Sequence, residues 1–338
     1  MNNHFLLGES IVKVTTKAPI VHPIFVPTKM SLHTFNFYLV EIEDKLLLID
    51  AGVDTDKCWQ YFQDVLQKNE YTIEYIDAII LTHHHEDHIG LVNRIRAVKD
   101  MPLYAHEKGI PRLKREPTFL EKRIALFNEI FIEMGCGKEA DREVARLEKA
   151  RIDNASQTIL GDIIPVRGGE KLFGFDIVET PGHAYDHIML YHEASHTAFV
   201  GDQFIAHSST NALIDVAETG GRTLSLVTYE ASLRDLLTYP MQIAYSGHGE
   251  VMEHPHDVIE SHLQRIERKS NRVLEHLREK NTVATLAREM YGDKYDTLFA
   301  LVMSDVVGHI DRLEHAGKIT KTYDQAIAYY ERKQEESD

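Results

Sequence analysis

The sequence is poor in cysteine, in cationic side chains and in long apolar runs, and each shortage excludes a class of protein. Cys58 and Cys136 are the only cysteines in 338 residues, too few for a disulfide framework. The chain has 37 Lys and Arg against 53 Asp and Glu. The resulting net charge of −16 argues against binding to nucleic acid or to an anionic membrane by electrostatic attraction alone. No run of about 18 apolar residues occurs, so no transmembrane helix is expected.

The length and the first residues narrow the class further. A chain of 338 residues allows one large domain and a smaller one, and a hydrophobic content of 43% is ordinary for a globular protein. The first residues lack a charged region followed by an apolar run, so no secretory signal is expected. Because two isolated thiols suit a reducing compartment, the sequence predicts a protein of the cytoplasm with no membrane partner.

What the chain does contain is a cluster of metal-capable side chains in the run Thr-His-His-His-Glu-Asp-His-Ile-Gly at residues 82–90. The apolar, β-branched residues 75–81 just before it predict a buried strand. Leu91, Ile95 and Val98 just after it recur at helical spacing. The cluster is therefore predicted on a strand-to-helix loop, where α/β folds place their chemistry.

The side chains of this cluster suit divalent metal ions, because zinc-like ions accept imidazole and carboxylate ligands. A loop can turn neighbouring residues to different sides, so His83 and His85 could share one ion while Asp87 and His88 reach a second. The alternative is a solvated polar loop that is rich in histidine and binds no metal.

Three later motifs each offer one more ligand at the end of an apolar, strand-like run. They are Glu-Thr-Pro-Gly-His-Ala-Tyr-Asp-His at 179–187, Phe-Val-Gly-Asp at 199–202 and Tyr-Ser-Gly-His-Gly at 245–249. Ligands at successive strand ends can converge on one rim of a sheet. With these motifs the sequence resembles the metallo-β-lactamase superfamily over roughly residues 10–255. Residues 36–52, two strand patterns closing on Ile-Asp-Ala-Gly, resemble the first motif of that family.

The resemblance implies a site with two divalent metal ions, zinc foremost, although the same ligands suit manganese and iron. One ion would be held by His83, His85 and His183, and the other by Asp87, His88 and His248, with Asp202 bridging both. Asp50 would brace the metal loop without touching a metal, and His187 falls outside the ligand set. The chain has 20 histidines, and surplus ones such as His254, His256 and His262 are expected at the surface.

The resemblance also implies a fold and an activity. The fold is a four-layer αββα sandwich, with two mixed sheets back to back, helices outside and the metals at one edge. The activity is hydrolysis of an ester-type bond of a small molecule, with thioesters and lactones favoured, by a hydroxide that bridges two divalent metals. Asp87 would hold that hydroxide as the catalytic residue.

Three other functions stay open. A phosphodiesterase or ribonuclease could use the same two metals. A di-iron redox protein of this superfamily typically has Glu where this chain has His85, and carries a flavin domain that is absent here. A non-enzymatic regulator is the third alternative, and the intact set of seven ligands argues against it.

The chain divides into a catalytic domain over residues 1–255, a C-terminal domain over 256–330 and a charged tail over 331–338. A charged helical insertion interrupts the catalytic domain at about 107–157. One face of its first helix carries apolar residues at a period of about 3.6, namely Leu120, Ile124, Phe127, Phe131 and Met134. We expect the insertion to cover the edge of the sheets that carries the metals, with Phe127 and Phe131 in the wall of the substrate pocket. The alternative is that the insertion serves only structural packing.

The insertion also carries five cations, Arg112, Lys114, Arg115, Lys122 and Arg123. They could attract a carboxylate or phosphate of the substrate. The alternative, which is usual for such runs, is a solvated helix face paired with nearby acids such as Glu116 and Glu121.

The C-terminal residues predict three helices and a small strand unit, which resemble the winged-helix domain found in one branch of the superfamily. Residues 255–338 contain 13 Lys and Arg against 16 Asp and Glu, and Arg312 is the one Lys or Arg of the third helix. DNA binding draws on cations that neutralise phosphates, so no DNA is expected as a partner. The apolar face of the third helix is expected to dock on the catalytic domain or a second copy of the chain and to help close the substrate cleft.

Overall fold

A computed structural model describes residues 17–29, 31–217 and 220–334. The strands in these ranges are β1 (Ile20–Pro27), β2 (Thr34–Ile42), β3 (Lys45–Ile49), β4 (Ala78–Ile80), β5 (Leu103–His106), β6 (Ile164–Val166), β7 (Lys171–Leu172), β8 (Phe175–Glu179), β9 (Ile188–His192), β10 (Thr197–Gly201), β11 (Ile243–Ser246), β12 (Ile319–Asp324) and β13 (Ile327–Arg332). The helices are α1 (Asp56–Lys68), α2 (Glu86–Ile89), α3 (Val92–Val98), α4 (Ile110–Leu113), α5 (Pro117–Glu133), α6 (Lys138–Asp153), α7 (Ser225–Leu236), α8 (Pro255–His276), α9 (Val283–Tyr291), α10 (Lys294–Thr297) and α11 (Phe299–His315).

Two mixed sheets form the centre of the molecule. The first has the order β1-β2-β3-β4-β5-β6, and the second has the order β11-β10-β9-β8-β7. β2 and β3 form the predicted hairpin, in which Ile42 pairs with Lys45 across a tight turn. β1 carries Pro23 and Pro27 and lies at the edge of its sheet, where the missing proline N–H groups cost no ladder hydrogen bond. Ile11 and Val12, whose β-branched side chains predict the start of a strand, lie outside the described residues.

Side chains alternate between two apolar layers on each sheet, as strand geometry requires. On β3, Leu47 and Ile49 point to the core between the sheets, and Leu46 and Leu48 point to the core under α1 and α3. β9 divides its side chains in the same way between the central core and a third core under α7 and α8. The layers are therefore helix, sheet, sheet and helix, which confirms the predicted αββα sandwich.

A fourth apolar core joins the insertion to the C-terminal segment. α5 and α6 of the insertion pack there against α8, α9, α11, β12 and β13. The ring of Phe131 lies 5.1 Å from the ring of Phe299 and 5.7 Å from that of Phe127, measured between centroids. The prediction that Phe127 and Phe131 wall the substrate pocket is therefore wrong, because both rings are buried in this core. The alternative of structural packing is the one observed for them.

α11 is the buried third helix of the C-terminal segment. Val306, Val307 and Ile310 are fully buried, and the helix packs on α7 of the catalytic region as well as on α8 and α9. Arg312 adds an ion pair to Glu230 of α7, with nitrogen–oxygen distances of 2.5 and 3.1 Å. Docking on the catalytic region is thus the arrangement observed in this chain.

The other C-terminal elements follow the sequence closely. The position of Thr282 just before a helical pattern predicts an N-cap, and its side chain accepts a hydrogen bond from the backbone N–H of Thr285 at the start of α9. The hairpin β12–β13 follows α11, and the winged-helix assignment stays a prediction. Glu331 and Arg332, assigned to the charged tail, belong to β13, and residues 335–338 of that tail lie outside the described ranges. Among the described helices, none combines the length and apolar character needed to cross a membrane.

Candidate metal centre

Strand ends at one edge of the sandwich bring the predicted ligands together. His83 and His85 follow β4, and His183 follows β8. Asp202 comes directly after β10, and His248 lies two residues after β11. Asn36 of β2 ties the two sheets at this edge, because its side-chain amide donates to the carbonyls of Ser246 and Gly249 at 3.0 and 2.9 Å.

The first group of side chains contains three histidines. The Nδ1 atom of His85 lies 2.9 Å from Nε2 of His83 and 2.9 Å from Nε2 of His183. One nitrogen from each ring lies within 4.8 Å of the other two, a spacing that one metal ion can occupy.

The second group lies beside the first and is richer in carboxylate. Nε2 of His248 lies 2.9 Å from Asp202 Oδ2 and 3.4 Å from Asp87 Oδ2. Nε2 of His88 lies 3.3 Å from Asp202 Oδ1. Asp202 also lies 3.6 Å from His183 of the first group, so its carboxylate stands between the two groups.

Four of these histidines are held by hydrogen bonds at their outer ring nitrogen, Nδ1. The partners are Thr82 Oγ1 for His83 (3.1 Å), Asp50 Oδ2 for His88 (2.8 Å), the Asn211 carbonyl for His183 (2.9 Å) and the Thr34 carbonyl for His248 (2.8 Å). A carbonyl or carboxylate can only accept, so Nδ1 must carry a proton in the last three of these rings, and in the neutral form of each ring the lone pair is then on Nε2. Each of those rings therefore presents a metal-binding nitrogen to the centre.

Asp50 organises the loop behind the ligands. Its Oδ1 accepts the backbone N–H of Thr82 at 2.8 Å, and its Oδ2 accepts the Thr82 hydroxyl and the His88 ring, both at 2.8 Å. The residue itself has a φ of 59°, a left-handed conformation that these bonds hold in place. Asp50 therefore contacts the loop that carries the predicted ligands, and Thr82, which the sequence motifs do not single out, takes part in the same hydrogen bonds. The bracing role of Asp50 towards a metal stays a prediction.

The site histidines fall into two electrostatic classes. Burial, reinforced by neighbouring imidazoles, holds the pKa of His83 and of His85 well below the usual range. Burial also disfavours the charged form of His88, but the carboxylates of Asp202 and Asp50 outweigh it and hold its pKa well above the usual range. Burial opposes the charge on Asp202 too, and His248 and His88 outweigh it, so the pKa of Asp202 is well below its usual range. The three-histidine group is thus neutral and ready to bind a cation.

The residues fit divalent metal ions on further grounds. Buried His88 Nε2 and Asp202 Oδ1 lie 3.3 Å apart and form no well-aligned hydrogen bond with each other or with another described residue, so both atoms can turn to a metal ion. Gly247 lets the backbone pass close to them, because a Cβ there would lie 2.2 Å from Asp202 Oδ1. A mixed set of imidazole and carboxylate donors suits zinc, manganese and iron alike.

Two interactions near the centre had no clear signal in the sequence. His187 accepts the backbone N–H of Asp202 at 3.1 Å and contacts Thr180 Oγ1 at 2.7 Å, so it positions the central carboxylate from outside the ligand groups. His84 lies 2.6 Å from Asp186 in a buried pair that reaches the cavity wall. The His84–Asp186 pair joins two loops that lie 102 residues apart in the sequence, so no local pattern indicates it.

A cavity of about 550 Å³ opens onto the centre. Its wall includes His85, Asp87, His183, Asp202 and His248. The insertion contributes Arg112, Arg115, Arg123 and Gln157 to the wall, and the C-terminal helix α11 contributes Leu301. Of the five predicted cations, three therefore line the cavity, whereas Lys114 and Lys122 do not. Of the run, only these three cations are placed to contact a molecule in the cavity.

One of the histidines expected at the surface is buried instead. His262 of α8 lies 3.0 Å from the carbonyl of Ile205 and 3.1 Å from the Tyr229 hydroxyl. Ile205 lines the cavity, so this histidine fixes a segment of the cavity wall. The surface expectation for His262 is wrong because both of its ring nitrogens find partners inside the protein.

Comparison with known proteins agrees with the observed fold. The model of the metallo-β-lactamase superfamily matches residues 35–248. The chain is 28% identical over 307 residues to "Probable metallo-hydrolase YqjP" of Bacillus subtilis, covering 90% of this chain and 95% of that protein. It is 26% identical over 309 residues to "Atrochrysone carboxyl ACP thioesterase" of Aspergillus fumigatus, covering 86% and 80%. A metallo-β-lactamase family protein from Thermus thermophilus shares the fold, with a TM-score of 0.73 at 22% identity, over 93% of this chain and 98% of that one.

Proposed function

Since the chain belongs to the metallo-β-lactamase superfamily and is a metallo-hydrolase, we propose that it cleaves a small ester-type bond, a thioester or lactone foremost. The observation that carries the proposal is the convergence of His83, His85 and His183 beside Asp87, His88 and His248, with Asp202 between them. We propose these seven residues as the ligands of two divalent cations, zinc foremost. Such cations lower the pKa of water and polarise the bond that is attacked.

The protein's own groups supply orientation and proton handling. Asp87 is the most accessible carboxylate of the cluster, with 24% of its side chain exposed against 7% for Asp202. We propose that it accepts a hydrogen bond from the attacking water and aligns the lone pair of that water with the substrate. Asp50, Thr82 and His187 keep the ligands in position through the hydrogen bonds described above.

The preference for a thioester rests on the cavity and on one relative. A volume of about 550 Å³ is in the range of pockets that bind small molecules. A relative that matches 86% of this chain is named as a thioesterase. Phosphodiester cleavage is the rival reaction, since the same donors would serve it.

A panel of substrates tests the proposal. Protein loaded with zinc, manganese or iron(II) is assayed on thioesters, lactones, phosphodiesters and β-lactams. We expect turnover of a thioester or lactone, loss of most activity in Asp87→Asn, and wild-type activity in Asp44→Asn, whose side chain lies on the exposed β2–β3 turn. Turnover of phosphodiesters alone would replace this proposal with its rival.

The attacking group can be identified separately. We expect a single-turnover reaction in oxygen-labelled water to place the label in the product, with no covalent adduct on the protein. An acylated side chain found by mass spectrometry would contradict attack by water.

We also propose that the protein acts in the cytoplasm on a small-molecule substrate, without DNA or a membrane as partner. Cys58 and Cys136 are free thiols in the structure, which suits a reducing compartment. Cell fractionation is the test, and recovery of the protein in a membrane or secreted fraction would refute the location.

A further inference from the structure

The cavity above the metal centre adjoins a smaller chamber that is rich in arginine. This chamber, of about 130 Å³, shares Glu86, Arg112, Arg115 and Arg123 with the cavity wall. Arg146 and Arg151 also line it, so five guanidinium groups surround a chamber in a chain of net charge −16. Glu86 is the one carboxylate among the residues that line it.

Three of the five arginines already have a carboxylate partner outside the chamber. These pairs are Arg123 with both oxygens of Asp215 (3.0 and 2.9 Å), Arg146 with both oxygens of Glu143 (2.8 and 2.6 Å) and Arg151 with Glu121 (3.5 Å). The charge of these three arginines is already balanced by a carboxylate. Arg112 and Arg115 are therefore the candidates for binding a further anion.

Arg112 and Arg115 have guanidinium N–H groups that are not used in hydrogen bonds to described residues. Arg115 donates one hydrogen bond to the carbonyl of Ala150 at 2.9 Å, and its buried Nε has no hydrogen-bond partner among the described residues. Arg112 makes neither a hydrogen bond nor an ion pair through its side chain in the part of the chain that the structure describes. Tyr185, which lines the same cavity, has a buried hydroxyl that is likewise unpartnered among these residues.

A guanidinium without a partner in the wall of this chamber is energetically unfavourable. Burial, followed by the neighbouring charge of Arg123, lowers the pKa of Arg112 to about 10, so the guanidinium stays charged at neutral pH. Arg112 is half-buried, and a partly desolvated charge without a hydrogen-bonded partner raises the free energy of the folded state, a cost that a bound anion would lower. Guanidinium groups bind carboxylate and phosphate through paired hydrogen bonds, which favours an oxyanion as the ligand.

We infer that Arg112, assisted by Arg115 and the Tyr185 hydroxyl, binds a carboxylate or phosphate group of the substrate while its ester-type bond lies at the metal centre. This inference rests on the proposed function for the identity of the reacting bond. It adds that the substrate is an anion, held at a second point remote from the bond that breaks. Such a contact fixes orientation as well as affinity.

Direct binding tests the site without catalysis. Glutarate and inorganic phosphate are titrated calorimetrically into metal-free protein, so that neither probe can bind to a metal ion. We expect at least one probe to bind, and Arg112→Gln to raise its Kd by about tenfold or more, as expected for loss of a hydrogen bond to a charged group. Binding of glutarate alone points to a carboxylate substrate, and binding of phosphate alone points to a phosphorylated one; each outcome supports the site.

The controls separate a lost contact from a damaged fold. Lys122→Gln removes one charge from the exposed side of α5 beside Arg123 and should keep the wild-type Kd. Arg112→Lys keeps the charge but loses the paired geometry, and its Kd should lie between those of wild type and Arg112→Gln. Melting temperatures of the variants show whether each is folded. Equal Kd values for wild type and folded Arg112→Gln, or no binding of either probe to wild type, would overturn the inference.

Kinetics distinguish failure of this inference from failure of the proposed function. Two thioesters are compared that differ only in a terminal carboxylate or its neutral amide. We expect the ratio of KM for the anionic to the neutral thioester to rise about tenfold or more in Arg112→Gln and to keep its wild-type value in Lys122→Gln. Turnover with an unchanged ratio would refute the anion site and leave the hydrolase intact. Absence of turnover, together with Arg112-dependent probe binding, would refute the proposed reaction and leave the site.

Discussion

Replacing Phe131 with alanine should destabilise the protein without changing which substrates it accepts. The ring is 2% exposed and lies between Phe127 of the insertion and Phe299 of α11. A buried aromatic ring removes about 150–250 Å² from water at about 25 cal/mol per Å², and alanine keeps a small part of that burial. We therefore expect a loss of about 3–5 kcal/mol in the free energy of unfolding, the range found for such core truncations.

Urea denaturation followed by circular dichroism measures this loss, with Ile132→Ala as the matched control. Ile132 is the next residue of α5 and is 46% exposed, so its truncation should cost less than about 1 kcal/mol. A folded Phe131→Ala protein of wild-type stability would refute the shared core. Altered relative rates across the substrate panel would return Phe131 to the pocket wall.

Three further predictions concern acid stability, bracing of the metals and DNA. Burial lowers the pKa of His309 to about 4, so between about pH 6.5 and pH 4 the folded state binds fewer protons than the unfolded chain. We expect the free energy of unfolding to fall by about 3 kcal/mol as the pH drops through this range, and this loss to shrink in His309→Gln and to be unchanged in His315→Gln, on the exposed side of the same helix. Identical acid profiles of the three proteins in thermal melts would refute the prediction. Asp50→Asn should weaken metal binding about 10–100-fold in competition with a chelating dye, and an affinity equal to that of wild type would show that bracing is not needed. Fluorescence anisotropy with random duplex DNA at low salt should show no binding, and salt-sensitive micromolar binding would revive the nucleic-acid alternatives.

The local patterns of the sequence predicted much of the catalytic fold, because strand alternation and ligand spacing are short-range signals. Residues 46–49 are all apolar, as a strand buried on both faces should be, and the structure places them between two cores. The Ile-Asp-Ala-Gly motif located Asp50, and the four ligand motifs located the edge of the sandwich. The order of layers came from the family resemblance, since composition alone indicates only α/β.

Contacts between distant segments could not be predicted in this way. The apolar stripe of α5 showed that Phe131 needs burial, but nothing local shows that Phe299 covers it. Arg112 and Lys114 are two residues apart and alike in charge; the first lines the cavity, whereas Lys114 donates to the carbonyls of Ile159 and Gly161. Which member of a charged run faces a substrate is decided by tertiary placement.

The sequence around His262 carries a local signal for its burial. It lies on the same face of α8 as Ile259 and Ile266, at helical spacing, and this face is buried. A polar residue on an apolar face is tolerated when it finds hydrogen-bond partners, here Tyr229 and the Ile205 carbonyl. Its position in the stripe predicts burial better than its residue type does.

We propose above that seven side chains of this chain hold two divalent cations. Elemental analysis of protein produced in metal-sufficient medium tests it most directly, with Asp202→Ala measured beside the wild type. We predict about two divalent cations per wild-type chain and the largest loss in Asp202→Ala, because a carboxylate between two cations stabilises both and screens their repulsion. A reproducible metal content near zero, with activity that chelators leave unchanged, would contradict the account.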